Sequence, residues 1–142
     1  MGDLRVLLLE DDEDHVFLIR RALRDLDGLE VTVDVAANGD DALRYLASAQ
    51  KGAADGRPQL ALLDLKVPKI SGLDVLEHIR SSPMFAALPA VMLTSSERME
   101  DRERAQELGA SGYLCKPLDG AQLRADVQAT ARWWADRVGS ST

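Results

Sequence analysis

LALLDLKVPKISG, from Leu60 to Gly72, is the stretch that decides the fold. It opens as an apolar run and ends that run on one carboxylate, Asp64. Pro68 and Gly72 then punctuate the chain before a new periodic segment begins. A short run of Leu and Ala bounded by turn residues predicts a strand buried on both faces. Such strands belong to parallel sheets covered by helices. Those folds bind their ligands outside the carboxyl ends of the strands, so Asp64 is predicted to stand at a functional edge.

Upstream, Leu4 to Leu9 is a second apolar run, also read as a buried strand. It ends in Glu10, Asp11, Asp12 and Asp14. Acids at such a place either start a helix, accepting from free amides at the positive end of its dipole, or hold a cation. Taken alone, the cluster favours the first of these. Val16, Ile19, Leu23 and Leu26 recur at helical spacing until Gly28. Val31, Val33 and Val35 alternate with Thr32 and Asp34, the period of a half-buried strand. After the Asn38–Gly39 turn, Ala42, Leu43, Leu46 and Ala47 predict a second helix. Ser48 to Gln59 is polar and rich in small residues, and it reads as a long surface loop entered by the end of that helix.

Downstream of Asp64, Leu73, Leu76, Ile79 and Arg80 predict a third helix that stops before Pro83. A fourth strand lies within Leu88 to Leu93 and leads to Thr94, Ser95 and Ser96. Met99 to Leu108 is a charged fourth helix closed by Gly109. Gly112 to Cys115 is a fifth strand, followed by Lys116 and Pro117. Asp119 to about Val138 is the last helix, and residues 139–142 read as a flexible tail. No repeat or low-complexity tract is visible.

The bulk properties narrow the function. The chain has 142 residues, enough for one domain with a real core. Its net charge of -7 argues against a nucleic-acid surface, which needs a basic patch. Cys115 is the single cysteine, so no internal disulfide can form, which fits a reducing compartment. No secretory signal is visible at the N-terminus, and no apolar run approaches the roughly 20 residues of a membrane span. The expectation is an acidic, cytoplasmic, single-domain protein.

Five strands alternating with five helices predict an α/β fold, a doubly wound parallel sheet. The common five-strand solution is the flavodoxin-like order 2-1-3-4-5. In that order the acids after Leu9 and Asp64 meet across the crevice, with Thr94 and Lys116 on adjoining strand ends. Clustered carboxylates repel one another unless a cation binds, and hard oxygen ligands with open positions suit Mg²⁺. Asp64 could then be the nucleophile toward a phosphoryl group. Thr94 could donate to one phosphoryl oxygen and Lys116 pair with another.

With those residues in order, the chain resembles the receiver domains of two-component response regulators. The resemblance rests on Glu10–Asp11–Asp12, Asp64 with Pro68 and Gly72, Thr94, Gly109–Ala110 with Tyr113, and Lys116–Pro117. It runs from Leu4 to about Val138, so that residues 1–138 are expected to form the receiver, with no output domain after the fifth helix. It implies that Asp64 accepts a phosphoryl group from a histidine kinase or phosphotransfer protein. It implies Mg²⁺ held by Glu10, Asp11, Asp64 and the backbone carbonyl of Lys66. A one-residue shift would make the acidic pair Asp11 and Asp12; the first alignment is favoured, because Asp12 then becomes a turn or cap residue. Thr94 and Tyr113 occupy the positions of the family's conformational switch, although Tyr113 could equally be a core aromatic. The Lys116–Pro117 bond resembles one that is cis in the family. His15 and His78 are read as helix-surface residues without a role.

Trp133 and Trp134 close the last helix. Leu123, Val127, Ala131 and Trp134 can share its core stripe, which leaves Trp133 off it beside Ala129 and Arg137. Trp133 then either folds over its own or a neighbouring helix or marks a partner surface. With the long loop after the second helix, this resembles the small regulators that serve phytochrome-type sensor kinases. Two other readings compete. One is a phosphorylation-independent interaction module that works as a homodimer. The other is a phosphatase with an aspartyl nucleophile, disfavoured because Lys66 stands where such enzymes carry a second aspartate.

Overall fold

Every residue of Leu60–Leu63 is buried, and the segment pairs in parallel with a neighbour on each side. The computed structural model describes residues 2–52 and 56–139. Its elements are β1 (Gly2–Leu9), α1 (Glu13–Arg24), β2 (Leu29–Ala36), α2 (Gly39–Lys51) and β3 (Leu60–Leu63), then α3 (Gly72–Ser81), β4 (Ala90–Thr94), α4 (Met99–Glu107), β5 (Gly112–Cys115) and α5 (Gly120–Gly139). The sheet is parallel throughout, in the order β2-β1-β3-β4-β5. The flavodoxin-like architecture expected from the alternation is therefore the one found.

Strand residues alternate between two cores, as the period of two requires. Leu4, Val6, Leu8, Leu60, Leu62, Val91 and Leu93 face α1 and α5, meeting Ile19, Leu23, Leu123, Val127 and Ala131. Leu7, Leu9, Ala61, Leu63 and Met92 face the other helices, meeting Leu46, Val75, Leu76, Ile79 and Ala105. Burial on both faces explains why β1, β3 and β4 read as unbroken apolar runs. The edge strand β2 keeps its alternation, but its last valine escapes cover: Val35 is 37% exposed. Across its other face, Arg5 and the Tyr45 hydroxyl both reach Asp34, at 2.9 and 2.7 Å. Partial burial, reinforced by Asp34, pushes the Tyr45 hydroxyl pKa well above its ordinary value.

Three helices start on side chains that accept from their own first-turn amides: Asp12 for α1, Asn38 for α2 and Ser71 for α3. Gly28 after α1 and Gly109 after α4 have φ of +76° and +92°, where a Cβ would be strained. The helix α2 runs to Lys51, and Arg57 folds back to donate to the carbonyls of Ala49 and Gly52. The expected tail begins inside α5, since Gly139 is its last residue; 140–142 lie outside the described residues. Among the described residues no peptide bond is cis, so Lys116–Pro117 is trans, contrary to the expectation from the family resemblance. The two isomers of an X-Pro bond differ by only about 0.5–1 kcal/mol, so the dipeptide alone does not choose between them.

The loop from Asp64 to Ser71 is wedged between the starts of α2 and α3. Gly39 donates to the Pro68 carbonyl at 3.4 Å, and Gly72 to the Leu65 carbonyl at 3.0 Å. A Cβ on Gly39 would strike the backbone of Ile70, and one on Gly72 the carbonyl of Asp64. Lys69, between them, holds φ at +69°, a strained value for a residue with a side chain. These close approaches tie the loop's shape to the two glycines.

Gly72→Ala is expected to destabilise the protein by about 1–3 kcal/mol, the usual effect of overpacking, as measured by denaturant unfolding. Tyr45 gives a pH signature. Its folded pKa lies above the unfolded value of about 10, so its contribution is present below that pH and is lost as pH rises beyond it. Tyr45→Phe should flatten the alkaline limb of the stability–pH curve.

Candidate functional site

Three strand ends carry the charged groups, and each is held by a ladder hydrogen bond one residue past its strand. Glu10 donates its amide to Ala36 at 3.0 Å, Asp64 to Leu9 at 3.0 Å and Lys116 to Thr94 at 2.8 Å. The sheet's register is thereby extended into the site. The Lys116 ammonium bonds Asp64 Oδ2 at 2.9 Å and Glu10 Oε1 at short range. The side chains of Lys116, Glu10 and Asp64 are 4%, 1% and 9% exposed, so this ion-pair triad is shut away from solvent.

Asp11, exposed at the rim, completes an acidic group with Glu10 and Asp64, in which one ligand atom from each lies within 4.8 Å of the others. Two of the three carboxylates bond the Lys116 ammonium. All donors are oxygens, and two are set on rigid strand ends, which fits a hard divalent cation better than a thiol- or imidazole-seeking metal. Burial pushes the Glu10 carboxyl above its ordinary pKa, and the bond from Lys116 pulls it part of the way back. Asp12 stands apart from this group. It caps α1 by accepting from the amides of Asp14 and His15, and those bonds hold its carboxyl below the usual range. Lys66 is exposed in the loop beyond β3, and its amide donates to Asp64 Oδ1 at 3.3 Å.

Thr94 is fully buried at the end of β4, and its hydroxyl oxygen accepts from the Ser96 amide at 3.3 Å. Tyr113, on β5, donates its hydroxyl to the Ser96 carbonyl at 3.1 Å, with the Arg102 guanidinium 4.6 Å above its ring. Ser96 also donates to Asp101 of α4 at 2.5 Å. Ser96 therefore joins the end of β4 to both β5 and α4, a linkage the sequence reading did not assign. The run Thr94–Ser95–Ser96 was its only trace.

His15, expected at the helix surface, is part-buried at the start of α1, and its Nδ1 lies 3.1 Å from Lys116 Nζ. The available signal is its place in the first turn of α1, just after the acids that follow β1. His78, by contrast, is exposed on α3, away from these groups. Trp133 is 48% exposed on α5, edge-on to Trp134 at 4.5 Å and under the Arg137 guanidinium, while Trp134 packs on the core.

A doubly wound sheet with an acidic cluster and a buried lysine on its carboxyl rim is the architecture of a signalling receiver. The chain belongs to the response regulator receiver domain family, whose profile matches residues 6–128. The curated relatives include the probable methanogenesis regulatory protein FilR2 of Methanothrix harundinacea, 36% identical over 91% of this chain and 82% of that one. The transcriptional regulatory protein DltR of Streptococcus agalactiae is 32% identical over 91% of this chain, which spans only 52% of DltR's length. Among solved structures, the phosphorylated cyanobacterial phytochrome response regulator RcpA superposes with TM-score 0.84 at 30% identity, over 93% of this chain and 94% of that one. The Mn²⁺-bound form of response regulator Rcp1 gives 0.83 at 28%, over 92% and 94%. The bacteriophytochrome response regulator RtBRR gives 0.69 at 36%, over 88% and 77%. Receivers of this family are phosphorylation-accepting partners of histidine kinases or phosphotransfer proteins and bind a divalent cation at an acidic pocket. They are signalling proteins rather than typical enzymes. No helix among the described residues is long and apolar enough to cross a membrane.

Excess negative charge at the rim should show in the metal-free protein. Asp11→Asn is expected to raise the thermal midpoint by a few degrees in chelator, by removing repulsion. Mg²⁺ should raise the midpoint of the wild type and raise it less in Asp11→Asn, as read by calorimetric scans.

Proposed function

We propose that residues 1–138 act as a receiver in which Asp64 is the phosphoacceptor, taking a phosphoryl group from a phosphohistidine. A carboxylate oxygen of Asp64 attacks phosphorus, the P–N bond breaks, and the imidazole leaves with the pair of electrons and is then protonated. The observation that carries this reading is the Lys116–Asp64 bond beside the Glu10–Asp11–Asp64 cluster. Glu10, Asp11, Asp64 and the Lys66 carbonyl would hold Mg²⁺, which when bound neutralises charge on the transferring group. Lys116, a compact point charge, keeps its bond to the Asp64 side and pairs with a phosphoryl oxygen. Burial keeps Asp64 dehydrated and aimed.

Thr94 would give its hydroxyl hydrogen to another phosphoryl oxygen. Its oxygen presently accepts from Ser96, so closing on the phosphate displaces the segment that also receives Tyr113 and engages Asp101. A new charge at Asp64 thus biases a loop with two arrangements. Tyr113 is the second switch residue in this reading, and α4 and β5 are the surfaces that change. The donor is a sensor histidine kinase or phosphotransfer protein. A phytochrome-type kinase is favoured by the likeness to RcpA and RtBRR. A donor fed from ATP puts the exchange in the cytoplasm.

Trp133 supports a second reading, a homodimeric interaction module, because it is an exposed aromatic beside a groove against β5. Sedimentation of wild type and Trp133→Ala, with and without a phosphate mimic, tests it: a monomer throughout removes it.

The acceptor reading is tested by intact mass after incubation with a small acyl-phosphate donor. Gain of one phosphate is expected with Mg²⁺ and not with chelator, and not in Asp64→Asn. Loading of Asp64→Asn at the wild-type rate would overturn the assignment. Lys116→Met should load at least about tenfold more slowly, having lost a charge-assisted bond.

A further inference from the structure

An ammonium carries three hydrogens and no acceptor. Lys116 points its ammonium into a pocket with three acceptors: Asp64 Oδ2 at 2.9 Å, Glu10 Oε1, and His15 Nδ1 at 3.1 Å. Because Lys116 can only donate, a bond between them requires Nδ1 to present its lone pair. The carboxylates near the ring do not compete for Nδ1, since Asp12 Oδ2 and Glu10 Oε2 lie 3.7 and 3.9 Å away, beyond hydrogen-bond reach. The ring is set there by the start of α1, where Asp12 accepts from the His15 amide at 3.3 Å.

We propose that His15 is a positioning residue for Lys116: it holds the third ammonium hydrogen and keeps the lysine aimed at Asp64 while Glu10 and Asp64 change partners. The proposal rests on the acceptor reading of Asp64 and adds a residue to that site. Glu10 and Asp64 are the groups that would turn oxygens toward a cation, and Asp64 the group that would carry the phosphoryl. Each of those events changes which oxygens Lys116 meets. His15 is the acceptor that does not change, because an imidazole is a poor ligand for a hard cation. Without it the ammonium loses one of its three acceptors, and a misplacement of about 1 Å at a reacting group is enough to slow a reaction severely.

The test uses the full chain as His15→Leu, which keeps bulk without an acceptor, and His15→Asn, whose side-chain oxygen stands near the Nδ1 position. The first readout is independent of phosphorylation: a proton–nitrogen correlation spectrum of the lysine ammonium groups. The chain has four lysines, so the spectrum is simple. The Lys116 signal is assigned by its loss in Lys116→Arg. A hydrogen-bonded, slowly exchanging signal is expected in wild type and His15→Asn and not in His15→Leu. The second readout is the rate of loading by an acyl-phosphate donor at saturating Mg²⁺. His15→Leu is expected to load about tenfold more slowly, the effect of one lost bond to a charged group, with His15→Asn restoring most of the rate. A Lys116 signal unchanged in His15→Leu overturns the proposal, and so does a lost signal with an unchanged loading rate. If wild type itself takes no phosphate, the acceptor reading fails, and the spectrum alone then decides whether His15 positions Lys116.

Discussion

The bond from the Lys116 ammonium to the buried carboxylates of Asp64 and Glu10 is the constraint on which the rest of the structure depends. Its partners come from the ends of three different strands, far apart in the chain. Removing one member of such a buried group leaves an uncompensated charge, so the three must arrive together. The parallel sheet makes that possible. Each of the three residues sits one position beyond its strand, with its amide still bonded to the neighbouring strand. The positions of the charges are therefore those of the sheet itself, with the precision of ladder hydrogen bonds and of cores packed on both faces. A site built this way tolerates little drift.

Around that triad stand groups less tightly held. Asp11 is exposed at the rim and Lys66 in the loop beyond β3. The buried Thr94 hydroxyl oxygen accepts from the Ser96 amide, and Ser96 reaches both Tyr113 and Asp101. A shift at one buried hydroxyl is thus connected to a helix and an edge strand at the surface.

The loop that leaves Asp64 shows how backbone constraints serve the same end. Gly39 and Gly72 allow the starts of α2 and α3 to press on it so closely that a methyl group would collide. The sequence carried Gly72 as a mere turn marker, whereas the structure gives it a steric duty against the Asp64 carbonyl. Strain at Lys69 lies within the same few residues.

Much of this was legible in the chain itself, because it depends on local patterns. Apolar runs in β1, β3 and β4 announce strands buried on both sides. Helical spacing in α1 and α5 separates Trp134, which packs, from Trp133, which does not. Alternation of the two kinds of element leaves few topologies, and topology alone brings Glu10, Asp64, Thr94 and Lys116 to one edge. What the tertiary structure decided is which atoms touch there. His15 looked like a surface residue because its neighbours in sequence are solvated acids; its partner, Lys116, is about a hundred residues away. Ser96 looked like one more small polar residue, and its bonds to Thr94, Asp101 and Tyr113 depend on how β4, α4 and β5 meet. The isomer at Lys116–Pro117 and the uncovered Val35 at the end of β2 belong to the same class. Periodicity records which face of an element is buried, because that follows from the repeat of a helix or strand. The partner that a side chain finds on that face depends on distances between elements, which only packing sets.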